Sequence, residues 1–294
     1  MNRRRFLSIS AAAVAVPGAA CARTVWRGHA LGAEAQVTLA GDRAAAQAVI
    51  PALTAELDRI ASLFSLYRPD SALVRLNRAG QLSGPPPEMV ELLTLCGQVH
   101  AATAGRFDPT VQPLWAALAR GEDGAAEKGL IGWNRVEFGP DAITLGPGQA
   151  LTLNGIAQGY ATDRVADLLA GAGFTDVLVD IGEHRALGGP WRLGLRDPAF
   201  GLLGTRTLRD GAIATSSPAA LSLGGAAHIL SPTGVPLRWS TVSVEARTAA
   251  PADALSTALC MASRDEAEGA VALMPDVRSV TLVDHAGDLR TIRR

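Results

Sequence analysis

An acidic and a hydroxyl side chain stand four residues apart in the sequence around Pro251, at Asp253 and Thr257. Pro251 is typical of a first helical turn, where its missing N–H removes no hydrogen bond. In a helix that begins there, Asp253 and Thr257 share one face, and Leu255 and Leu259 share another that would pack into the core. A carboxylate and a hydroxyl are hard oxygen ligands of the kind that Mg2+ prefers. Taken alone, the segment favours a plainer interpretation, an acid stabilised by the helix dipole next to a buried threonine.

A second candidate is the turn at 154–160, Asn-Gly-Ile-Ala-Gln-Gly-Tyr, between a predicted strand and a predicted helix. Free backbone N–H groups and the dipole at a helix N-terminus favour a bound phosphate, and glycine lets a ligand approach the backbone. The turn has neither the glycine spacing of dinucleotide folds nor the lysine of a P-loop. Its glycines are also typical of close packing between a helix and a strand, so both interpretations remain open.

The composition argues against two classes of partner. Lysine and arginine number 27 and aspartate and glutamate 28, and the formal net charge of −1 provides no broad attraction to nucleic acid or to an anionic membrane. Aromatic residues make up only 4% of the chain, which argues against a stacking platform for single strands. The 294 residues suffice for one large domain or two interleaved lobes, with a substantial core.

The first 22 residues have the pattern of an export signal. Arg3, Arg4 and Arg5 precede an apolar run at 9–16, as in twin-arginine signals, and the run is too short to span a bilayer permanently. Small residues around Cys21 fit signal cleavage, and lipid attachment at Cys21 is the alternative. We therefore expect one domain at 23–294, exported to the periplasm or attached to the periplasmic face of the inner membrane.

Hydrophobic periodicity predicts helices and strands in an irregular order. Helices are expected at 43–64, between 85 and 105, between 160 and 173, from 251 onward, and at 264–273. Strands are expected at 34–40, 177–181, 191–195, 212–215, 240–244 and, as the last element, 280–283, with a hairpin from 143–145 and 151–153. This order predicts an α+β fold, with mixed or antiparallel sheets and flanking helices.

Smaller expectations follow from single residues. Thr241 and Ser243 alternate with valines, which predicts one polar face on that strand. The segment 105–115 contains two prolines and is expected to be a loop. Cys96 and Cys260 lie within apolar helical patterns and are expected to be buried free thiols.

Eight short stretches together resemble one family, the ApbE-type FAD:protein FMN transferases. They follow the family's order over about residues 31–262: Leu-Gly at 31–32, the segment 65–77, Gly-Arg-Phe-Asp-Pro-Thr at 105–110, Leu-Asn-Gly-Ile-Ala-Gln-Gly-Tyr at 153–160, Val-Asp-Ile-Gly at 179–182, Ala-Thr-Ser at 214–216, His-Ile-Leu-Ser-Pro-Thr-Gly at 228–234 and Ala-Asp-Ala-Leu-Ser-Thr at 252–257. Each stretch is short, and it is their number and order that make the resemblance specific.

The resemblance implies an ApbE-like α+β fold and a Mg2+-dependent enzyme that takes FAD as its substrate. Such an enzyme splits the pyrophosphate of FAD, passes FMN to a threonine or serine hydroxyl of a partner flavoprotein and releases AMP. The implied metal ligands are the side chains of Asp253 and Thr257 and the backbone carbonyl of Gly155, and His228 is the implied catalytic residue. The implied FAD contacts are Leu31, Ala72, Leu73, Val74, Asp108, Gln158 and Leu230.

The chain departs from the family pattern near these positions. Gln158 is neutral where the family often has a lysine or an acid, Glu183 follows Gly182 where a second glycine is usual, Ser217 replaces a glycine, and Ser231 replaces an aspartate in a loop one residue shorter.

Because of these departures, two alternatives to the transferase remain open. One is an FAD pyrophosphatase that needs no acceptor, and the other is an exported FAD-binding protein whose catalysis has decayed. His228 and Asp108 have structural alternatives as well, as a histidine that bonds backbone groups and as a turn-forming aspartate.

Overall fold

The computed structural model describes residues 23–223 and 226–294. Within them the strands are β1 (Arg23–Ala30), β2 (Ala33–Ala40), β3 (Gln81–Ser83), β4 (Glu137–Phe138), β5 (Ala142–Thr144), β6 (Val177–Asp180), β7 (His184–Leu187), β8 (Trp191–Asp197), β9 (Gly201–Leu208), β10 (Gly211–Ser216), β11 (Ser222–Leu223), β12 (Ala226–Ala227), β13 (Thr241–Ala246), β14 (Val277–Val283) and β15 (Leu289–Arg293). The α-helices of the same residues are α1 (Arg43–Phe64), α2 (Ala72–Ala79), α3 (Pro87–Ala102), α4 (Gln112–Ala119), α5 (Ala157–Gly171), α6 (Ala249–Leu259) and α7 (Arg264–Leu273).

An eight-stranded sheet forms the centre of the fold, in the order β1-β2-β6-β7-β10-β13-β14-β15. Every neighbouring pair in this sheet is antiparallel. Smaller sheets form from β3, β5 and β4, from β8 and β9, and from β11 and β12. Helices and antiparallel sheets in this irregular order confirm the predicted α+β class.

Both faces of the central strands are covered. Because side chains alternate along a strand, Val177 and Val179 of β6 join the main core, whereas Leu178 joins a second one. The main core lies where α1, α5 and α6 pack on the sheet. The second core contains Trp191 and Leu193 of the β8–β9 hairpin. The hairpin thus covers part of the face that the helices leave open.

Most of the helical predictions are confirmed. α1 runs from Arg43 to Phe64, and the Asp42 carboxylate caps it by accepting the N–H of Ala45 at 2.7 Å. α7 also has the predicted ends, and Cys96 and Cys260 are buried free thiols. The predicted stripe of α3 is buried at every position: Met89, Leu92, Leu93, Cys96 and Val99.

The predicted hairpin at 143–145 and 151–153 is wrong. The side chain of Asn77 donates to the carbonyl of Leu151 at 2.8 Å and accepts its N–H, also at 2.8 Å. These are the backbone groups that a partner strand would use, so 151–153 stays irregular. Ile143 pairs instead with Leu82 of β3 and Phe138 of β4.

Three further expectations need correction. The segment 105–115 is not a loop throughout, because α4 begins at Gln112 with a proline in its first turn, where proline is tolerated. The strand β13 has the predicted polar face, but that face is covered too, since Thr241 and Ser243 are both buried and Thr241 donates to Asp197 of β8 at 2.7 Å. The strand at 280–283 is not the last element, because β15 follows it.

Across residues 23–223 and 226–294, no helix combines the length and the apolar character needed to cross a membrane. The predicted export signal at 1–22, including Cys21 as its alternative lipid-attachment residue, lies outside the described residues. Export and lipid attachment therefore stay predictions.

Candidate active site

A cleft of about 700 Å3 opens at one end of the central sheet. This volume lies within the range of about 300–1,000 Å3 that is typical of small-molecule sites. Its walls come from parts of the chain that are distant in sequence: the β1–β2 turn, the segments before α4 and α5, the ends of β6 and β10, the segment 228–232, and α6. If the predicted site residues form one site, they should line this cleft.

Asp253 and Thr257 lie one turn apart on α6, and both line the cleft. The Oδ2 atom of Asp253 accepts the N–H of Gly159 at 3.0 Å, while no hydrogen bond from another described residue reaches its Oδ1. The Thr257 hydroxyl lies 3.2 Å from the Oγ of Ser216. The two oxygen ligands predicted from the sequence thus share one wall of one cavity.

Gly155 lies directly against this pair. A Cβ added to Gly155 would stand 3.1 Å from the Oγ1 of Thr257, so the glycine backbone approaches the hydroxyl more closely than a side chain would comfortably allow. A carboxylate, a hydroxyl and a backbone carbonyl form an all-oxygen donor set, which fits Mg2+. No group of three or more His, Cys, Asp or Glu side chains with metal-binding potential occurs in the part of the chain that the structure describes. A cation here would accordingly depend on the hydroxyl and the carbonyl as well as on acids.

The contact between α5 and α6 fixes the spacing of these groups. A Cβ added to Gly159 would lie 2.5 Å from the carbonyl oxygen of Ala249, a distance that real Cβ atoms do not reach. Glycine at this position lets α5 approach the start of α6, and its N–H is then free to hold Asp253. The turn 154–158 and α6 are thereby held against one another.

A buried acid on α5 caps α6. The N-cap residue Thr248 makes no side-chain hydrogen bond to the helix. Instead the two carboxylate oxygens of Asp163 accept the N–H groups of Ala249 and Ala250, each at 2.8 Å. Arg185 donates to the same carboxylate at 2.6 Å. Four groups from three elements thus secure the helix that carries Asp253 and Thr257.

The inner wall of the cleft is acidic. Glu183, which follows β6, is 7% exposed and lines the cleft together with Asp253 and Asp180. Burial raises the pKa of Asp253 to about 7. Burial also raises the pKa of Glu183 well above its ordinary value, and the nearby negative charge of Asp253 raises it further.

Two arginines also line the cleft, but both are engaged elsewhere. Arg27 donates to the side chain of Gln36 at 3.0 Å, and Arg106 pairs with Glu266. The acids of the inner wall therefore face a space in which a divalent cation would relieve their repulsion.

His228 lines the cleft on the segment after β12. Its Nδ1 lies 3.2 Å from the carbonyl oxygen of Pro218 and 3.3 Å from that of Leu221. Carbonyls only accept hydrogen bonds, so Nδ1 carries the proton and Nε2 keeps its lone pair. Burial lowers the pKa of His228, which favours the neutral ring. His228 therefore makes the backbone hydrogen bonds expected of a structural histidine. It also keeps the free Nε2 that a catalytic base needs.

The predicted FAD contacts fall into two groups. Leu31, Asp108, Gln158 and Leu230 line the cleft. The other three, Ala72, Leu73 and Val74, do not: they form the first turn of α2, where Ala72 and Leu73 are buried in the main core. The cleft is lined instead by the preceding segment, including Ser65, Leu66 and Tyr67.

Asp108 has both oxygens occupied by the chain itself. Its Oδ1 accepts the N–H and the hydroxyl of Thr110 at 2.9 and 2.6 Å, and its Oδ2 accepts the N–H of Trp133 at 3.1 Å. These bonds match the turn-forming alternative, although the residue also lines the cleft. The Oγ of Ser231 is buried and finds no hydrogen-bond partner among the described residues.

Sequence reasoning missed the contributions of Ser216 and Glu183 to this site. Ser216 lies in the Ala-Thr-Ser stretch, and its Oγ contacts the hydroxyls of Ser256 and Thr257 at 2.8 and 3.2 Å. Glu183 was visible only as a departure from the family pattern. The sequence signal that could have identified Glu183 is an acid that directly follows an apolar strand ending in glycine.

Comparison with known proteins agrees with this arrangement. Residues 31–280 match the sequence model described as the ApbE family. The chain belongs to the ApbE family. Its relatives include the FAD:protein FMN transferase of Klebsiella pneumoniae (strain 342), 29% identical over 84% of this chain and 81% of the relative. The FAD:protein FMN transferase of Escherichia coli (strain K12) is 27% identical over 74% of this chain and 71% of its own length.

Solved ApbE structures share the fold. The flavin transferase ApbE from Vibrio cholerae superposes with a TM-score of 0.79 at 21% identity, over 92% of this chain and 97% of that chain. The ApbE protein from Thermotoga maritima superposes with a TM-score of 0.80 at 24% identity, over 92% of this chain and 96% of that chain. The ApbE-like fold expected from the ordered stretches is confirmed.

Proposed function

We propose that this protein is a Mg2+-dependent FAD:protein FMN transferase, which passes FMN from FAD to a threonine or serine hydroxyl of a partner flavoprotein and releases AMP. The observation that carries the proposal is the meeting of Asp253, Thr257 and Gly155 at one wall of a cleft that His228 also lines. The names of the relatives support the same activity. The activity requires a cleft open to a protein acceptor as well as to FAD.

The chain's own residues suit phosphoryl transfer, which depends on positioning and charge neutralisation more than on covalent help. Asp253, Thr257 and the Gly155 carbonyl would hold Mg2+, which when bound supplies positive charge to the pyrophosphate. α5 starts at Ala157 without a side-chain cap at Ile156, and its N-terminus lies beside the cleft, which favours a phosphate there.

His228 acts as the general base. The acceptor hydroxyl oxygen attacks the phosphorus of the FMN half, the bond from that phosphorus to the bridging oxygen breaks, and the electron pair leaves with AMP. The Nε2 of His228 takes the hydroxyl proton, which requires the neutral ring and the tautomer that the Pro218 and Leu221 carbonyls impose. A neutral imidazole at working pH is consistent with the lowered pKa of His228.

The test is an acceptor assay. Purified protein is incubated with FAD, Mg2+ and a flavoprotein fragment that carries an Asp-x-x-Ser/Thr-x-Ala-Thr motif, and FMN attachment is followed by intact mass. We expect FMN to appear on the acceptor with equimolar AMP, and to disappear with Asp253→Asn or without Mg2+. Glu122→Gln, a surface acid paired with Arg120, is the matched control and keeps activity. The proposal fails if the acceptor gains no FMN while an active relative modifies it in parallel.

Two alternatives to the transferase remain, because the unpartnered Ser231 Oγ lies in a loop that lacks the family's aspartate. Metal-dependent release of FMN and AMP without any protein modification would support an FAD pyrophosphatase. Tight FAD binding without turnover, unaffected by Asp253→Ala, would support a flavin-binding protein with decayed catalysis. The same assay, run with and without the acceptor, separates all three.

We further propose that the protein acts outside the cytoplasm, either free in the periplasm or attached to the periplasmic face of the inner membrane through Cys21. The arginines and the apolar run of residues 1–22 support export. Fractionation of cells that express the full chain and Cys21→Ser tests both points. A protein that stays in the cytoplasm would contradict export, and an unchanged membrane fraction with Cys21→Ser would contradict the lipid anchor.

A further inference from the structure

Glu183 is held rigidly at the inner wall of the cleft. Its backbone carbonyl accepts the N–H of Ile181 at 3.1 Å and the hydroxyl of Thr162 at 3.2 Å. The Oε2 atom of its side chain accepts the N–H of Thr215 at 3.0 Å. Hydrogen bonds thus hold both the backbone and the carboxylate of Glu183, and rotation of the side chain toward solvent would break the bond to Thr215.

The second carboxylate oxygen of Glu183 has no such partner. No described residue donates a hydrogen bond to Oε1, and no arginine, lysine or histidine of the described residues forms an ion pair with Glu183. The residue as a whole is only 7% exposed, and it lines the cleft, so what its free oxygen can meet is a ligand or water in the cleft. An ionised carboxylate in such a place is costly unless a positive charge is near.

The neighbouring groups increase this cost. Asp253 lies close enough for its charge to raise the pKa of Glu183, and Asp180 adds a smaller contribution. Gln158 packs against Gly182, within 3.0 Å of where a Cβ would stand, and its amide is neutral. Two buried acids thus share one cavity wall, and the neutral Gln158 amide beside Gly182 adds no charge to offset them.

We propose that Glu183 is a second carboxylate of the cation site, acting with Asp253, Thr257 and Gly155 to set its affinity for a divalent metal. The inference rests on the proposed function, since it adds a ligand to the same site. A divalent ion between Glu183 and Asp253 would satisfy both charges and give the free Oε1 a partner. When both acids are ionised, their charge makes the metal-free cleft unfavourable for the FAD pyrophosphate, so cation binding should precede or accompany FAD binding.

The test compares wild type with Glu183→Gln. The glutamine oxygen can still accept the N–H of Thr215, so the fold and its unfolding temperature should be kept while one charge is removed. Titration calorimetry with Mn2+ alone, without FAD, is expected to show a Kd about 10–100-fold higher, the usual size of the loss for a group supporting a metal site. Glu122→Gln removes a charge on the surface and should leave the Mn2+ affinity unchanged.

A second readout separates a role at the metal from a structural role. Without metal, and at a pH high enough to ionise both acids, Glu183→Gln should bind FAD more tightly than wild type does, because a charge that repels the pyrophosphate is gone. Damage to the fold would instead weaken Mn2+ and FAD binding together. Glu183→Asp, which shortens the side chain by one methylene, is expected to raise the Mn2+ Kd several-fold.

The proposal is overturned if Glu183→Gln and Glu183→Asp bind Mn2+ within twofold of wild type, or if metal-free FAD binding weakens in both. If the wild type itself binds neither Mn2+ nor Mg2+, the metal dependence of the proposed function fails first. If the wild type binds metal and transfers FMN while both variants keep wild-type metal affinity, only the role of Glu183 is wrong.

Discussion

Two buried carboxylates near the α5–α6 contact, Asp163 and Asp253, have opposite surroundings. Asp163 receives two backbone N–H groups and the guanidinium of Arg185. Asp253 receives one N–H, from Gly159, and its nearest charged neighbours are acids. Burial raises the pKa of both, but Arg185 and the two N–H groups oppose the rise at Asp163. A buried acid that the fold satisfies holds the structure together, whereas one left unsatisfied marks a place for a ligand.

The largest effect expected from this comparison is on stability at Asp163. Asp163→Ala leaves the α6 N-terminus without its cap and Arg185 without its buried partner, and should lower the free energy of unfolding by about 3–5 kcal/mol. Asp163→Asn, which keeps an acceptor but no charge, should lose less. Urea unfolding followed by circular dichroism measures both. An Asp163→Ala protein as stable as wild type would show that the cap contributes little.

Asp253→Asn should behave in the opposite way. Removing an uncompensated buried charge should leave the stability of the metal-free protein equal or higher, while FMN transfer falls by at least about a hundredfold, as expected when a metal site loses a ligand. Unfolding curves and the acceptor assay on the same preparation test the two halves. A large loss of stability in this variant would place Asp253 in the same class as Asp163.

The pH dependence of stability sharpens the contrast. A carboxyl group whose pKa rises from 3.8 unfolded to about 7 folded binds its proton more tightly in the folded state. The metal-free protein should therefore lose stability as the pH rises from about 4 to 7, with Asp253 contributing to the fall. Asp253→Asn should flatten this slope, and saturating Mg2+ should restore stability at pH 7 and above. If the stability of wild type and variant depends on pH in the same way over this range, folding does not raise the pKa of Asp253.

The smallest expected effect provides a reference for an ordinary cap. Ser263 caps the exposed first turn of α7 through a capping box with Glu266, whose carboxylate accepts the Ser263 N–H at 2.7 Å. Ser263→Ala should lower the free energy of unfolding by about 1 kcal/mol, the usual value for a lost N-cap. A loss as large as that of Asp163→Ala would remove the distinction between a surface cap and a buried one.

Local sequence patterns predicted the features that depend on residues close together in the sequence, such as helix ends and buried helix faces. The spacing of apolar residues gave both ends of α1 and α7 and every buried position of the α3 stripe. The four-residue spacing placed Asp253 and Thr257 on one face, and the structure turns that face to the cleft. Periodicity suffices here because one helix face meets one core.

The failures come from contacts over long sequence distances. Asn77 takes the backbone groups of Leu151 from 74 residues away, which no pattern near 151–153 reveals. The cap of α6 by Asp163 spans 86 residues, so no pattern near the start of α6 could indicate it. Ala72, Leu73 and Val74 belong to one of the family-like stretches, yet none of them lines the cleft, and Ala72 and Leu73 are buried in the main core. The resemblance to a family supplied the order of the stretches but not which residues face the ligand.

The glycine at position 159 has a consequence for how the site works. With the carbonyl of Ala249 only 2.5 Å from where its Cβ would be, the two helices pack too closely at this point for any side chain. The N–H of Gly159 also holds Asp253, so this contact keeps the oxygens of Gly155, Asp253 and Thr257 close together before any ligand arrives. Little ordering entropy then opposes binding at this wall.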